Sequence, residues 1–182
     1  MALLCCHLPT PLGEMLAVAS DRGLCLLEFD TQQRADRELA QVEAARGGPA
    51  QEGRNATLDQ LAVELAEYFA GRRQRFGVPL DLVGTPFQIA AWQALLHIPY
   101  GRTRSYAEQA RAIGRPTATR AVAAANGQNK ISIVVPCHRV IGSDGSLTGF
   151  GGGLPRKRAL LALESGAKQR DWISDAGRPA CR

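Results

Sequence analysis

The 182-residue sequence predicts an α+β protein, in which a small antiparallel sheet-plus-helix domain is followed by a helical domain of the winged helix-turn-helix type. Three observations predict this. Between residues 3 and 29, short apolar stretches are separated by Pro9 to Gly13 and by Asp21, Arg22 and Gly23, the punctuation of a β-meander. Between residues 85 and 125, three helical stretches are divided by short turns holding Pro99, Gly101, Gly114 and Pro116. Charge divides as well: residues 1–84 carry 8 Lys and Arg against 12 Asp and Glu, net −4, and residues 85–182 carry 14 against 5, net +9. A basic half following an acidic scaffold points to a polyanionic partner.

Taken in order, Leu3 to Leu8, Glu14 to Ser20 and Leu24 to Phe29 read as strands. Arg34 to Arg46 reads as a surface helix stopped by Gly47, Gly48 and Pro49, and Gly47 to Asn55 as a polar loop. Thr57, three residues before Gln60, forms a capping box, after which Leu58, Leu61, Ala62, Leu65 and Phe69 recur at helical spacing until Gly71. Residues 1–83 form this scaffold domain, with Arg72 to Val83 as its connector. Thr85, Pro86 and Gln88 supply an N-cap, an N1 proline and an N3 glutamine, and so predict a buried helix over Pro86 to Leu96. Ser105 to Ile113 is the next helix, and Thr117 caps a third that runs to about Ala125.

Ala118, Ala121, Ala123, Ala124 and Ala125 leave Thr119 and Arg120 as the side chains of that third helix able to reach a partner. An alanine face suits close, sequence-blind approach to DNA and speaks against a helix-turn-helix regulator with its own operator. Ile131 to Val135 is apolar and β-branched, so it reads as a buried strand, and it delivers Pro136, Cys137, His138 and Arg139 consecutively. Val140 to Phe150, holding Asp144 and Gly145, reads as a β-hairpin wing, and Leu154 to Glu164 as an amphipathic helix. The second domain thus covers residues 84–166, and residues 167–182 are expected to be a mobile tail.

The cysteines at 5, 6, 25, 137 and 181 are odd in number and irregularly spaced, which predicts free thiols in a reducing compartment. Cys5, Cys6, His7 and Cys25 lack the paired spacing of structural zinc sites, so no metal is expected. No basic region precedes the apolar N-terminus, and no apolar run is long enough to cross a bilayer. A soluble, cytoplasmic protein is expected.

Pro136, Cys137, His138 and Arg139, then Val140, Ile141 and Gly142, then Gly151 to Gly153, form a pattern extended upstream by Gly84 to Phe87, Ile98, Pro99, Tyr106, Arg120, Asn126, Gly127 and Asn129. This pattern resembles the O6-alkylguanine-DNA alkyltransferases, which repair alkylated bases by moving the alkyl group to their own cysteine. The resemblance covers about the last hundred residues continuously and Thr10 to Gly13 more loosely, the layout of the short constitutive bacterial form. It implies a ribonuclease H-like N-terminal domain. It also implies single-turnover repair of O6-alkylguanine, and of O4-alkylthymine, in duplex DNA by a monomer that uses no cofactor, nucleotide or metal.

Displacement at saturated carbon calls for a soft nucleophile, and Cys137 is the candidate thiolate. The resemblance implies a relay from Cys137 through a water to His138 and Glu164, with Asn129 bracing the cysteine loop. It implies that Arg120 fills the stack vacated by a flipped base while Tyr106 presses on the target's phosphate and contacts the base. Ser105, Thr117, Ala118, Thr119 and Ala121 complete the implied DNA-binding set. Val140, Phe150, Gly151 and Gly152, with Tyr106, line the implied substrate pocket. Phe150 stands where many relatives have tyrosine, so stacking is kept and one hydrogen bond to the departing base is lost. A Cys-His hydrolase would need an oxyanion site, and none is identifiable in the sequence.

Overall fold

The computed structural model describes residues 2–168, 171 and 173. Cys181 and most of the tail expected to be mobile lie outside the described residues. The chain divides into two compact units, Met1–Gly84 with Lys130–Val134, and Thr85–Asn129 with Val135–Arg182.

The first unit is built on a sheet of order β3-β2-β1-β4. β1 (Leu3–Thr10) and β2 (Gly13–Ala19) form a hairpin whose turn is tied by the Thr10 hydroxyl, which donates to the Gly13 carbonyl at 2.6 Å and accepts from Leu12 N–H at 3.2 Å. β3 (Leu24–Phe29) pairs antiparallel with β2 and is buried throughout. Gly23 precedes it at φ 154°, where a Cβ would come within 2.6 Å of the Pro79 carbonyl oxygen, so only glycine fits the approach. α1 (Gln32–Arg46) ends on the left-handed Gly47, as its sequence signals.

The Gly47 to Asn55 stretch, expected as a loop, contains β4 (Ala50–Glu52), which pairs parallel with β1. Ala, Gln and Glu carry no strand signal; the edge of β1 supplies the partner groups, and Gly53 N–H continues the ladder to the Cys5 carbonyl at 3.0 Å. α2 (Ala56–Phe69) buries Leu58, Leu61, Leu65 and Phe69, as their spacing predicts. Its cap is Asn55, whose side chain accepts from Leu58 N–H, and Thr57 already lies inside the helix. Asparagine in extended backbone one residue before the helix outcompetes the threonine.

Ile131 to Val135 is buried, as expected, but it is not a strand. Only Ile131 bridges to Leu27, and residues 132–134 turn. Ile133 has φ 71° and is bracketed by a Val134 N–H to Ser132 carbonyl bond of 2.8 Å, the i to i−2 closure of a γ-turn. Pro136, at φ −82° and ψ 64°, is bracketed the same way by Cys137 N–H and the Val135 carbonyl at 2.8 Å. A β-branched run reports burial more reliably than extension, and here the chain leaves the first unit after Val134 and enters the second at Val135.

Ser132 lies in a buried ionic group of the first unit. Its hydroxyl donates to Glu28, which also takes Arg34 Nε at 3.0 Å, while Arg34 Nη2 reaches Glu38 at 2.9 Å. Glu38 is 2% exposed and its Oε2 makes no hydrogen bond to the described residues. Burial first, and then the Glu28 charge, push its carboxyl up from 4.5 to about 7. A carboxyl raised on folding binds its proton more tightly in the folded state, so stability falls as pH climbs from about 4.5 to about 7, by about 3 kcal/mol at most. Glu38→Gln is therefore expected to raise the thermal midpoint at pH 8, by the equivalent of about 1 to 3 kcal/mol, and to change it little at pH 5. A variant less stable than wild type at pH 8 would show instead that the ionised carboxylate is well paired by Arg34.

In the second unit, α3 (Pro86–Leu95) has the expected Thr85 and Gln88 capping box. α4 (Tyr106–Ala112) follows a two-residue strand β5 (Arg104–Ser105) and is capped reciprocally by Ser105 and Glu108. α5 (Thr119–Gly127) starts at Ala118 without a side-chain cap, so Thr117 does not cap it. A backbone turn from Ala118 N–H to the Arg115 carbonyl, 2.9 Å, leads into the helix. The buried amides of Gln109 and Asn126 bond reciprocally and lock α4 to α5, while Trp92 Nε1 donates to the Ala125 carbonyl at 2.8 Å and locks α3.

The expected hairpin of Val140 to Phe150 is also corrected. β6 (Val140–Ile141) pairs parallel with β5, and Gly142 to Ser146 forms a tight turn, but no return strand follows. The Thr148 carbonyl is taken by two side chains, Lys157 Nζ and the Tyr106 hydroxyl, instead of a backbone ladder. α6 (Leu154–Glu164) closes the unit. Among the described residues no helix is long and apolar enough to cross a membrane.

Candidate active site

Cys137 opens a single 3-10 turn, Cys137–Arg139, directly after the Pro136 bend, and is 6% exposed. The bend aims the thiol back at Asn129, whose Nδ2 donates to Cys137 Sγ at 3.2 Å and to the Val135 carbonyl at 2.8 Å. One buried amide thus holds both the loop and the sulfur. An N–H donated to sulfur favours its anionic form.

His138 is fully buried. Burial pushes its imidazole below the usual range, and Glu164 pulls the other way. Its Nε2 lies 2.7 Å from Glu164 Oε1, and its Nδ1 makes no hydrogen bond to the described residues. With a carboxylate on Nε2, the neutral ring carries its proton there, and Nδ1 keeps a lone pair that can accept one. Burial alone would push the Glu164 carboxyl up, but His138 and Arg139 hold it down to about 2. Arg139 grips both its oxygens, Nε to Oε2 and Nη2 to Oε1 at 2.9 Å each, and donates from Nη1 to the Ile98 carbonyl at 2.7 Å. Gly101, at φ 73°, donates its N–H to Glu164 Oε2 at 3.4 Å, and a Cβ there would sit 3.0 Å from the Glu164 carbonyl oxygen. The last turn of α6 is thereby fastened to the loop after α3.

The structure therefore brings together Cys137, His138, Glu164 and Asn129. Tyr106, first residue of α4, donates its hydroxyl to the Thr148 carbonyl at 2.9 Å. Val140 and Gly152 are buried and Phe150 is 9% exposed, while Gly151 is partly exposed. Ser105 accepts from Glu108 N–H as the cap of α4, which gives it a structural task whatever else it touches. Thr117, Arg120 and Ala121 are exposed at α5, and Ala118 and Thr119 half-buried, and none belongs to the bonded cluster around Cys137. Their common face is small apart from Arg120.

Two residues escaped the reading from sequence in their structural detail. Arg139 is the buried counter-ion of Glu164, and Lys157 is a fully buried lysine with Nζ donating to the Val140 carbonyl at 2.6 Å and to that of Thr148 at 2.8 Å. A signal for Lys157 existed: it shares helical spacing with Leu160 and Glu164, both on the buried face of α6.

Two family models match. Residues 3–82 match the ribonuclease-like domain of 6-O-methylguanine DNA methyltransferase, and residues 86–166 match its DNA binding domain. A methylated-DNA-protein-cysteine methyltransferase of Mycobacterium tuberculosis is 60% identical over 108 residues, which span 59% of this chain and 66% of that protein, just under two thirds. The protein of the same name from Mycobacterium leprae is 44% identical over 160 residues, 88% of this chain and 91% of the relative. A crystal structure of the Mycobacterium tuberculosis protein in complex with DNA is 40% identical, with a TM-score of 0.78 over 96% of this chain and 99% of that one.

Proposed function

The chain belongs to the 6-O-methylguanine DNA methyltransferase family, and we propose that it repairs O6-alkylguanine in duplex DNA by taking the alkyl group onto Cys137. The observation that carries this reading is the buried thiol held by an amide donor beside a neutral imidazole whose Nδ1 is uncommitted and whose Nε2 is fixed by a carboxylate. The Cys137 proton passes to His138 Nδ1 directly or through a water, with Glu164 stabilising the imidazolium that forms. The sulfur then attacks the alkyl carbon, an S–C bond forms, and the C–O6 bond breaks with its electron pair leaving on guanine, which takes up a proton. The product thioether has no activated leaving group, so each molecule acts once. The same displacement extends to O4-alkylthymine. One chain carries the whole set, which fits a monomer, and a catalytic thiol needs the reducing cytoplasm.

Incubation with O6-methylguanine duplex DNA, followed by intact-protein and peptide mass spectrometry, is expected to find one methyl per chain, on Cys137. Turnover beyond one equivalent, or a methyl on Cys5, Cys6, Cys25 or Cys181, would sink the proposal.

Opening the stack defines the proposed task of Arg120. Extruding a base costs a few kcal/mol, and a planar guanidinium on a small, exposed helix face is suited to fill the gap. Arg120→Ala is expected to slow repair of duplex DNA by about tenfold or more, while reaction with free O6-benzylguanine stays within about threefold, each decade being about 1.4 kcal/mol. Equal loss on both substrates would remove the plug role.

A further inference from the structure

Of residues 149–153, the stretch that leads into α6, all but Phe150 are glycine. Gly149 at φ 54° and Gly153 at φ 89° stand in the left-handed region. Ordering such a run costs more conformational entropy than ordering any other, so it keeps one shape only where its backbone groups are held. Three holds are present. Lys157 Nζ takes the Thr148 carbonyl at the entry, at 2.8 Å, and Gly153 N–H donates to the Phe150 carbonyl across the turn, at 2.9 Å. In the middle, Arg156 Nη1 donates to the carbonyl of the buried Gly152 at 3.0 Å.

This stretch lies beside the reactive cysteine. Val140, whose N–H closes the 3-10 turn on the Cys137 carbonyl, gives its own carbonyl to Lys157 Nζ at 2.6 Å, so β6 and the entry of the glycine run meet across one ammonium. A Cβ at Gly149 would come 3.7 Å from the Tyr106 hydroxyl.

Arg156 is placed against the local electrostatics. It sits in the first turn of α6, where the helix dipole disfavours a cation, and that turn holds no acid and no side-chain cap. Its guanidinium is half-buried and bonded to the glycine run, although a surface arginine keeps more rotamer freedom and hydration by reaching into water. Building on the alkyl-transfer reading above, we propose that Arg156 is a positioning residue that governs which adducts are accepted: by holding the Gly152 carbonyl, it fixes the glycine wall against which the alkyl group packs. A methyl group touches little of that wall. A benzyl group packs over much more of it, so a wall free to move costs the bulky adduct most.

Two measurements test this. Amide exchange of the DNA-free protein reads the wall itself, and in Arg156→Met the Gly153 N–H is expected to exchange about fivefold faster or more than in wild type, with the amides of α3 unchanged. Unchanged protection at Gly153 overturns the proposal. Single-turnover transfer at saturating duplex reads the consequence. In Arg156→Met the rate with O6-benzylguanine is expected to fall about tenfold, while the rate with O6-methylguanine in the same duplex stays within about threefold. Arg156→Lys, which keeps a charge and a donor, is expected to recover part of the benzyl rate. Equal loss on both adducts, or binding to undamaged duplex weakened by more than about threefold, would make Arg156 a prop of the fold or a phosphate contact and overturns the proposal. Should Arg156→Met fail to fold, Arg156→Gln, polar and too short to reach Gly152, carries the same two readouts. Exchange omits DNA, so failure of the wild-type protein to take up methyl would count against the function proposed above, while the Gly153 result would still decide the task of Arg156.

Discussion

Cys137→Ser is expected to reduce alkyl transfer by at least about a thousandfold, to below detection, while affinity for undamaged duplex stays within about threefold of wild type. The substitution keeps size and the Asn129 bond but exchanges a polarisable sulfur for a hydroxyl that stays protonated at neutral pH. Even when the imidazole takes the hydroxyl proton as oxygen attacks, the hard oxygen is a poor nucleophile for displacement at saturated carbon. Retained binding follows because the exposed groups of α5, Arg120 among them, are not bonded to the cysteine loop. Methyl incorporation from labelled DNA and fluorescence anisotropy, measured on one preparation, check both halves. Residual transfer at even a hundredth of the wild-type rate would mean that another thiol accepts the methyl.

Glu164→Gln is expected to have the next largest effect, and on two properties at once. The amide can still accept from His138 Nε2, but it carries no charge, and Arg139, 7% exposed, is left as a buried cation without its counter-ion. Breaking a buried pair in this way costs about 3 to 5 kcal/mol at pH 7, which urea denaturation measures directly. Loss of the carboxylate also removes the stabiliser of the imidazolium, and transfer is expected to slow by about a hundredfold in protein that remains folded. The pH dependence has a definite sign. Glu164 is held at about 2 in the folded chain against 4.5 ordinarily, so its contribution is complete above about 4.5 and is lost as pH falls towards 2. Wild type and variant should therefore converge in stability in strong acid. A Glu164→Gln protein as stable as wild type at pH 7 would show that Arg139 finds another partner, and the ion pair would lose its central place.

Much of this was legible in the residues themselves. Capping and periodicity act within one turn of helix, and so α3, α4 and α6 came out within a residue of their observed ends, with Thr85 as the cap of α3. The turn glycines and the Pro11 stretch likewise determined the β1 to β3 meander. The consecutive Pro136, Cys137, His138 and Arg139 marked the site, because a thiol beside an imidazole is chemistry written in neighbouring positions. What only the tertiary structure decided were matters settled by partners distant in the chain. β4 exists because β1 offers it an edge, and Ala50 to Glu52 hold no trace of that. Ile131 to Val135 bends instead of extending, because apolar side chains specify burial while the path between the two units specifies shape. The return strand after Asp144 is missing because Lys157 and Tyr106 claim the Thr148 carbonyl. Glu164 becomes a carboxylate held near pH 2, and Lys157 a buried cation, only when residues 25 and 17 positions away close on them. Local backbone preference is a property of sequence neighbours, but desolvation and charge pairing are properties of whatever the fold brings alongside.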